Sequence, residues 1–107
     1  MTNMPQKGSV WYHFKHDPNK GVNHMAYQIV GIAIDTTTEK FLVVYKALYD
    51  VRESDHGYQG EDFYTRSLLD WVKPIQVNDQ IFTRFTEVSE SLKIAIIKLS
   101  NDMFDKS

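Results

Sequence analysis

Alternating hydrophobic and polar positions predict several short β-strands in the first two thirds of the chain. The strongest pattern covers residues 41–49, an apolar, β-branched and aromatic run without glycine or proline, which is typical of a buried central strand. Its period is two from Val43 onward, so one face is predicted to carry Val43, Tyr45, Ala47 and Tyr49, and the other Val44, Lys46 and Leu48. A slip of one residue would exchange these faces, so we expect the neighbouring strands to be registered against this run.

Two further strands are predicted before the central one, over residues 9–15 and 25–34. In the first, Trp11, His13 and Lys15 alternate with Val10, Tyr12 and Phe14. In the second, Ala26, Gln28, Val30 and Ile32 alternate with Tyr27, Ile29, Gly31 and Ala33. Gly31 inside this strand predicts a β-bulge or a close backbone approach, as at a barrel corner. Residues 35–40 connect the second strand to the central one as a hairpin.

Shorter elements are predicted after the central strand. Residues 63–66 form a short strand, and Ser67 caps a single helical turn that directs Leu68 and Trp71 inward. Residues 76–85 are predicted to form a tight hairpin with Asn78-Asp79 at its tip.

The hydrophobic period changes near the C-terminus. Leu92, Ile96, Leu99 and Met103 recur at intervals of four, three and four, which predicts one stripe of a helix. Ser89 or Ser91 is the predicted N-cap. The isoleucines here are mediocre helix formers, so a strand over residues 91–97 is the alternative.

Short strands separated by turns, without alternating helices, predict a mainly β fold: a small SH3-like barrel or roll with a C-terminal helix. The 107 residues fit a single domain. We expect a loose N-terminal arm over residues 1–8, the barrel over 9–86 and a helical extension over 87–107. The acid-rich, glycine-containing residues 50–62 predict a long exposed loop.

Composition narrows the classes of function. The chain has no cysteine, which excludes disulfides, thiol catalysis and cysteine-ligated metal centres. No apolar run approaches the roughly 18 residues of a membrane helix, and the polar N-terminus lacks a signal-peptide core. We therefore expect a cytoplasmic protein with no membrane contact. The formal net charge of −2 gives no overall attraction to nucleic-acid phosphates.

Several motifs together resemble a known family. They are Trp-Tyr-His-Phe-Lys at 11–15, Tyr-x-Ile-Val-Gly-Ile-Ala at 27–33, Val-Val-Tyr-Lys-Ala-Leu-Tyr at 43–49, Tyr-Thr-Arg-Ser at 64–67 and a closing Arg-Phe at 84–85. Their order resembles a small bacterial family catalogued as domain of unknown function 1653, over roughly residues 8–86. The resemblance implies an SH3-type barrel and no particular activity. Tyr12 and Ser67 depart from it, because the family has Arg and Pro at these positions.

Five polar or amphipathic residues on three predicted strands form a candidate ligand-binding site: His13, Lys15, Tyr45, Tyr49 and Arg66. If they converge on one rim of the barrel, Arg66 could form a bidentate pair with a carboxylate or phosphate, and the tyrosines could offer ring faces and hydroxyls. The structural alternative makes the tyrosines core residues and pairs Arg66 with an acid such as Asp50 or Glu61.

Metal binding and catalysis have less support in the sequence. His13 and His16 would point to opposite faces of a strand, and no compact metal motif is present, so we predict no metal or cofactor. The serines and threonines lack the setting of an activated nucleophile, so we predict no catalytic residue.

We therefore favour a non-enzymatic binding module with an aromatic and Arg-lined groove for a peptide or small anionic ligand. Single-stranded nucleic-acid binding is the first alternative, because basic residues alternate with aromatic ones. The net charge and the acidic loop count against it. A small enzyme acting on a nucleotide-like ligand is the second. The C-terminal apolar stripe could pack on its own barrel or on a second copy, which leaves a homodimer open.

Overall fold

Two antiparallel sheets, two α-helices and a short 3₁₀ helix (Pro18–Lys20) form the regular structure of the described part of the chain, which comprises residues 4–49 and 63–104 of a computed structural model. The strands are β1 (Val10–His13), β2 (Ala26–Ile34), β3 (Phe41–Ala47), β4 (Tyr64–Ser67), β5 (Ile75–Val77), β6 (Gln80–Phe82) and β7 (Phe85–Glu87). The α-helices are α1 (Leu68–Val72) and α2 (Glu90–Phe104). The predicted mainly β fold with a C-terminal helix is confirmed.

The larger sheet has the strand order β4-β3-β2-β1-β7, and β5 pairs only with β6. Across the described ranges this sheet is not closed into a barrel, because its edge strands β4 and β7 do not pair with each other. The predicted central run forms β3, which lies inside the sheet between β2 and β4, while β2 occupies the middle position. Its alternation is confirmed, because Val43 and Tyr45 are buried on one face of the sheet and Leu48 is buried on the other.

A β-bulge interrupts β2, as Gly31 predicted. The register against β3 shifts between Ile29, which pairs with Tyr45, and Gly31, which pairs with Val44. The extra residue moves the later side chains of β2 to the opposite face from the one that an uninterrupted period of two predicts. Ile32 therefore pairs with Val43 and shares the face of Ile29. The predicted placement of Ile32 on the opposite face is wrong for this reason.

The two faces of the large sheet carry separate hydrophobic cores. One core contains Trp11, Ile29, Val43, Tyr45, Trp71 and Phe85. The other contains Val10, Ala26, Leu48 and Ile96, so α2 packs on its own sheet. The helix prediction is confirmed over the strand alternative. Ser89 caps α2, because its Oγ accepts a hydrogen bond from the backbone N–H of Leu92 at 3.3 Å. The side chain of Met103 lies outside the described residues.

The turn between β5 and β6 and the residues before β1 test two further predictions. Asn78 and Asp79 both have positive φ and form the two-residue turn between β5 and β6, so the predicted hairpin tip is confirmed. Residues 4–8 lead into the sheet, where the N–H of Gly8 donates to the carbonyl of Ile29 at 2.8 Å. The predicted loop at 50–62 lies outside the described residues, and the division into arm, barrel and extension stays a prediction. Neither described helix has the length and apolar character needed to cross a membrane.

Candidate functional site

Four aromatic side chains from four elements meet on one face of the large sheet. We call Trp11, Tyr45, Trp71 and Phe85 the aromatic cluster. Strand alternation points Trp11 of β1 and Tyr45 of β3 toward this face of the sheet, and β7 supplies Phe85. Trp71 comes from α1, which begins where the Ser67 Oγ accepts a hydrogen bond from the backbone N–H of Asp70 at 3.1 Å. The predicted cap and the inward direction of Trp71 are confirmed.

Trp71 and Phe85 are the closest pair of the cluster. Their rings stack with centroids 3.7 Å apart and planes 6° from parallel. Tyr45 and Trp11 meet the Trp71 ring edge-on, at 5.1 and 5.8 Å between centroids. None of the four side chains is more than 8% exposed. The rings therefore pack against one another and leave little of their faces for a ligand to stack on.

Arg66 lies at the border of the aromatic cluster. Its pairing with Val43 places it on the clustered face of the sheet, and its guanidinium carbon lies 5.6 Å from the centroid of Phe85. The side chain is half-buried. Its Nε is buried and has no hydrogen-bond partner among the described residues. Arg66 thus lies between the surface and the hydrophobic core. We call its buried, unbonded Nε–H an open donor.

The two tryptophans of the cluster differ in how their indole N–H groups are bonded. Trp11 Nε1–H donates to the Oγ of Ser9 at 2.8 Å. Trp71 is equally buried, with 1% of its surface exposed, but its Nε1–H finds no acceptor in the part of the chain that the structure describes. A buried donor without a partner costs about 1–3 kcal/mol, and native proteins contain few of them. The Nε of Arg84 is likewise buried without a hydrogen-bond partner among the residues that the structure describes.

Three of the five predicted site residues gather around one ring. His13 meets Phe85 edge-on at 5.3 Å between centroids, Tyr45 lies 6.4 Å from it, and Arg66 lies over it. For the other two, the described part of the chain shows contacts with different rings instead. The acids predicted as structural partners of Arg66, Asp50 and Glu61, are outside the described residues.

Tyr49 and Lys15 make other contacts. Tyr49 is bonded through its hydroxyl to the hydroxyl of Tyr27 at 2.7 Å, and the Lys15 Nζ lies 5.8 Å from the ring of Phe14. Burial raises the pKa of both bonded tyrosines. Their mutual hydrogen bond raises the pKa of Tyr27 further and partly offsets the increase at Tyr49. Both phenols therefore stay protonated at neutral pH and act as neutral hydrogen-bonding groups.

Sequence reasoning left Trp71 and Phe85 out of the candidate site. The cap at Ser67 had already directed Trp71 inward, and Phe85 belongs to the closing Arg-Phe motif. Neither signal indicated that the two rings would stack beside Arg66. The structure shows no group of three or more His, Asp or Glu side chains within its described ranges that could hold a metal ion.

Comparison with known proteins places the chain in a family. Residues 9–87 match the model of a protein family of unknown function, DUF1653. The fold is similar to the crystal structure of a DUF1653 protein from Bordetella bronchiseptica, with 25% sequence identity and a TM-score of 0.56. This similarity covers 78% of the present chain and 87% of the other. Among curated proteins, none matches. The chain belongs to the DUF1653 family.

Proposed function

We propose that this chain is a non-enzymatic binding module for a small anionic ligand, which Arg66 holds at the border of the aromatic cluster. One observation carries the proposal: the Nε of Arg66 is buried and has no partner among the described residues. Buried donors are almost always bonded in native proteins, so we infer an acceptor beyond the described residues, and the proposal assigns that role to a ligand. The Arg66 residue as a whole is half-buried, so part of it contacts solvent.

The chemistry of the Arg66 guanidinium supports an anionic ligand. A guanidinium only donates hydrogen bonds and is always charged, and it pairs best with the oxygens of a carboxylate or phosphate. The Phe85 ring beneath it is apolar, which strengthens a charge-assisted hydrogen bond by keeping water away. An anion with oxygen acceptors fits this setting better than a neutral ligand.

Burial of the rings favours a small ligand over a peptide or a single strand of nucleic acid. Grooves for extended peptides and platforms for single strands both depend on exposed aromatic faces. Tyr45 and Tyr49 are each only 8% exposed. Binding at Arg66 therefore rests on hydrogen bonds and charge rather than on stacking.

A binding role also suits the side chains around Phe85. They are the rings of His13, Tyr27, Tyr45 and Trp71 and the guanidinium of Arg66. Covalent catalysis needs an activated nucleophile. Tyr27, whose pKa is raised by burial, is a poor one.

The test is thermal unfolding of the wild type and of Arg66→Ala with sodium phosphate, sodium acetate, glutamate and AMP as probes. A ligand present at 100 times its Kd stabilises the folded state by about 2.7 kcal/mol, which raises the Tm by several degrees. We expect this shift in the wild type and its loss in Arg66→Ala.

Lys46→Ala is the matched control. It removes a positive charge from the opposite face of β3, where Lys46 pairs with Gln28. It should keep the full ligand response. Without ligand, Arg66→Ala should lower stability by at most about 1 kcal/mol, the strength of an ordinary cation–π contact.

Three outcomes would contradict the proposal. Arg66→Ala could respond to the probes as the wild type does, or no probe could raise the Tm. Alternatively, Arg66→Ala could unfold many degrees earlier without any ligand, which would make Arg66 a structural residue. The Arg66-dependent response could also be confined to single-stranded oligonucleotides and be sensitive to salt, or it could be confined to peptides. The ligand would then belong to that class and the small-ligand proposal would be wrong.

A further inference from the structure

Two histidine side chains close the connection between β1 and β2, which comprises residues 14–25. The backbone N–H of Asp17 donates a hydrogen bond to His24 Nδ1 at 3.0 Å. In the opposite direction, His16 Nδ1 is bonded to the backbone carbonyl of His24. Asp17 also caps the 3₁₀ helix, because its Oδ1 accepts a hydrogen bond from the N–H of Asn19 at 2.9 Å. The two ends of the connection are therefore held together by two imidazole rings.

The bonding partners determine which nitrogen of each ring carries the proton. A backbone carbonyl only accepts hydrogen bonds, so His16 Nδ1 is protonated and donates. A backbone N–H only donates, so His24 Nδ1 is the unprotonated nitrogen of a neutral ring. A further proton would go to Nε2 of His16, which leaves its hydrogen bond intact. On His24 it would go to Nδ1, which removes the acceptor of the Asp17 N–H.

Titratable groups from more than one element lie near His24. The His16 ring lies 6.0 Å from it between centroids, and it is stacked in turn on the Tyr12 ring of β1 at 3.7 Å. The Tyr49 ring, which follows β3, also lies 6.0 Å from His24. Burial raises the pKa of both tyrosines, so their phenols stay neutral where histidines titrate. The other charged side chains of the connection are Lys15, Asp17 and Lys20.

We propose that the hydrogen bond between Asp17 and His24 is a pH-sensitive switch, which closes the connection while His24 is neutral and opens it once Nδ1 is protonated. An ordinary histidine titrates at about pH 6.5, so the change falls in the physiological range. The open form binds one proton more than the closed form, and a fall in pH therefore favours opening. If both imidazoles are charged, like charges also lie side by side, which adds to this effect. The switch is independent of the ligand proposed at Arg66, because no ligand takes part in it.

The test is NMR spectroscopy of the ¹⁵N-labelled wild type between pH 8 and pH 5. Imidazole ¹⁵N spectra at pH 8 show which ring nitrogens carry protons, and we expect Nε2 for His24 and Nδ1 for His16. Exchange of the Asp17 amide with solvent, corrected for the intrinsic effect of pH, then measures the switch itself. Protection of this amide should fall roughly tenfold between pH 8 and pH 5, which is the effect of about one hydrogen bond. The Lys15 amide donates to His13 Nδ1 at 3.2 Å and reports protonation of that histidine separately.

His24→Asn and His16→Asn supply the matched pair of variants. The Oδ1 of an asparagine at position 24 can accept from the Asp17 N–H in place of Nδ1, and it does not titrate. Protection of the Asp17 amide should therefore be the same at pH 8 and pH 5 in His24→Asn. In His16→Asn the new amide can still donate to the His24 carbonyl, so the response of Asp17 to pH should remain. If either variant fails to fold, the wild-type spectra and exchange rates still decide the question.

Three results would overturn the inference. His24 could carry its proton on Nδ1 at pH 8, so that the ring has no acceptor for Asp17. Protection of the Asp17 amide could be equal at pH 8 and pH 5 in the wild type, or it could fall just as much in folded His24→Asn. Finally, the amides of β2 could lose protection to the same extent as Asp17, which would indicate general unfolding rather than a switch in this connection.

Discussion

The two tryptophans of the aromatic cluster allow the stability effect of an unbonded indole N–H to be compared with that of a hydrogen-bonded one. We predict that Trp11→Phe destabilises the protein clearly more than Trp71→Phe does. Both indoles are 1% exposed, and their rings pack against each other at 5.8 Å between centroids. Replacing either indole by a phenyl ring therefore removes a similar amount of apolar packing, and this cost largely cancels when the two variants are compared.

The difference comes from the indole N–H groups. Trp11→Phe breaks the hydrogen bond to Ser9, a net cost of about 0.5–1.5 kcal/mol. Trp71→Phe removes an unbonded buried donor, whose desolvation costs about 1–3 kcal/mol in the wild type. The two contributions have opposite signs, so the free energies of unfolding should differ by about 1.5–4.5 kcal/mol. For a domain of this size this corresponds to roughly 10 °C in Tm or more.

Urea unfolding followed by far-UV circular dichroism measures the difference without relying on tryptophan fluorescence. Equal m-values in the two variants would show that the change lies in the folded state rather than in the compactness of the unfolded one. If Trp71→Phe costs as much as Trp11→Phe, or more, then Trp71 Nε1–H already has a partner. The idea of an open donor at this ring would then be wrong.

Three further predictions concern the fold around the site. Burial raises the pKa of Tyr27 and Tyr49, so above pH 10 the unfolded chain loses protons that the folded chain keeps. The free energy of unfolding should therefore not depend on the titration of these two tyrosines below pH 10 and should decrease above it. Urea titrations at pH 8 to 11 should show a smaller decrease for Tyr49→Phe than for the wild type. Gly31→Ala should leave stability unchanged or raise it by about 0.4–1 kcal/mol, because its φ is not left-handed and an added Cβ meets no atom within 4 Å; a clearly lower Tm would contradict this. Ser67→Ala should cost about 1 kcal/mol by removing the cap of α1, and a Tm equal to that of the wild type would show that the cap does not hold this turn.

Features set by neighbouring residues were predictable from the sequence. The alternation in residues 41–49 fixed the faces of β3, and Ser67 marked the start of α1. Asn78-Asp79 marked a two-residue turn because asparagine and aspartate tolerate positive φ. These signals act within one or two turns of chain, where side-chain chemistry directly limits the backbone.

Features that depend on distant parts of the chain were not predictable in the same way. Barrel closure requires β4 and β7 to meet, and no local pattern specifies that. Gly31 indicated a bulge, but applying an uninterrupted period of two placed Ile32 on the wrong face. The site shows the same limit, because strand alternation selected Tyr49 as well as Tyr45, whereas the position of β7 places only Tyr45 near Phe85.

A crystal structure of the protein grown with phosphate or acetate would test the proposed ligand site at Arg66 most directly. We predict an ordered oxyanion that accepts a hydrogen bond from Arg66 Nε, and no such anion in crystals of Arg66→Ala grown in the same solution. If Arg66 Nε is instead bonded to an oxygen of the protein itself, no ligand is needed to explain it. The proposed binding site would then be ruled out.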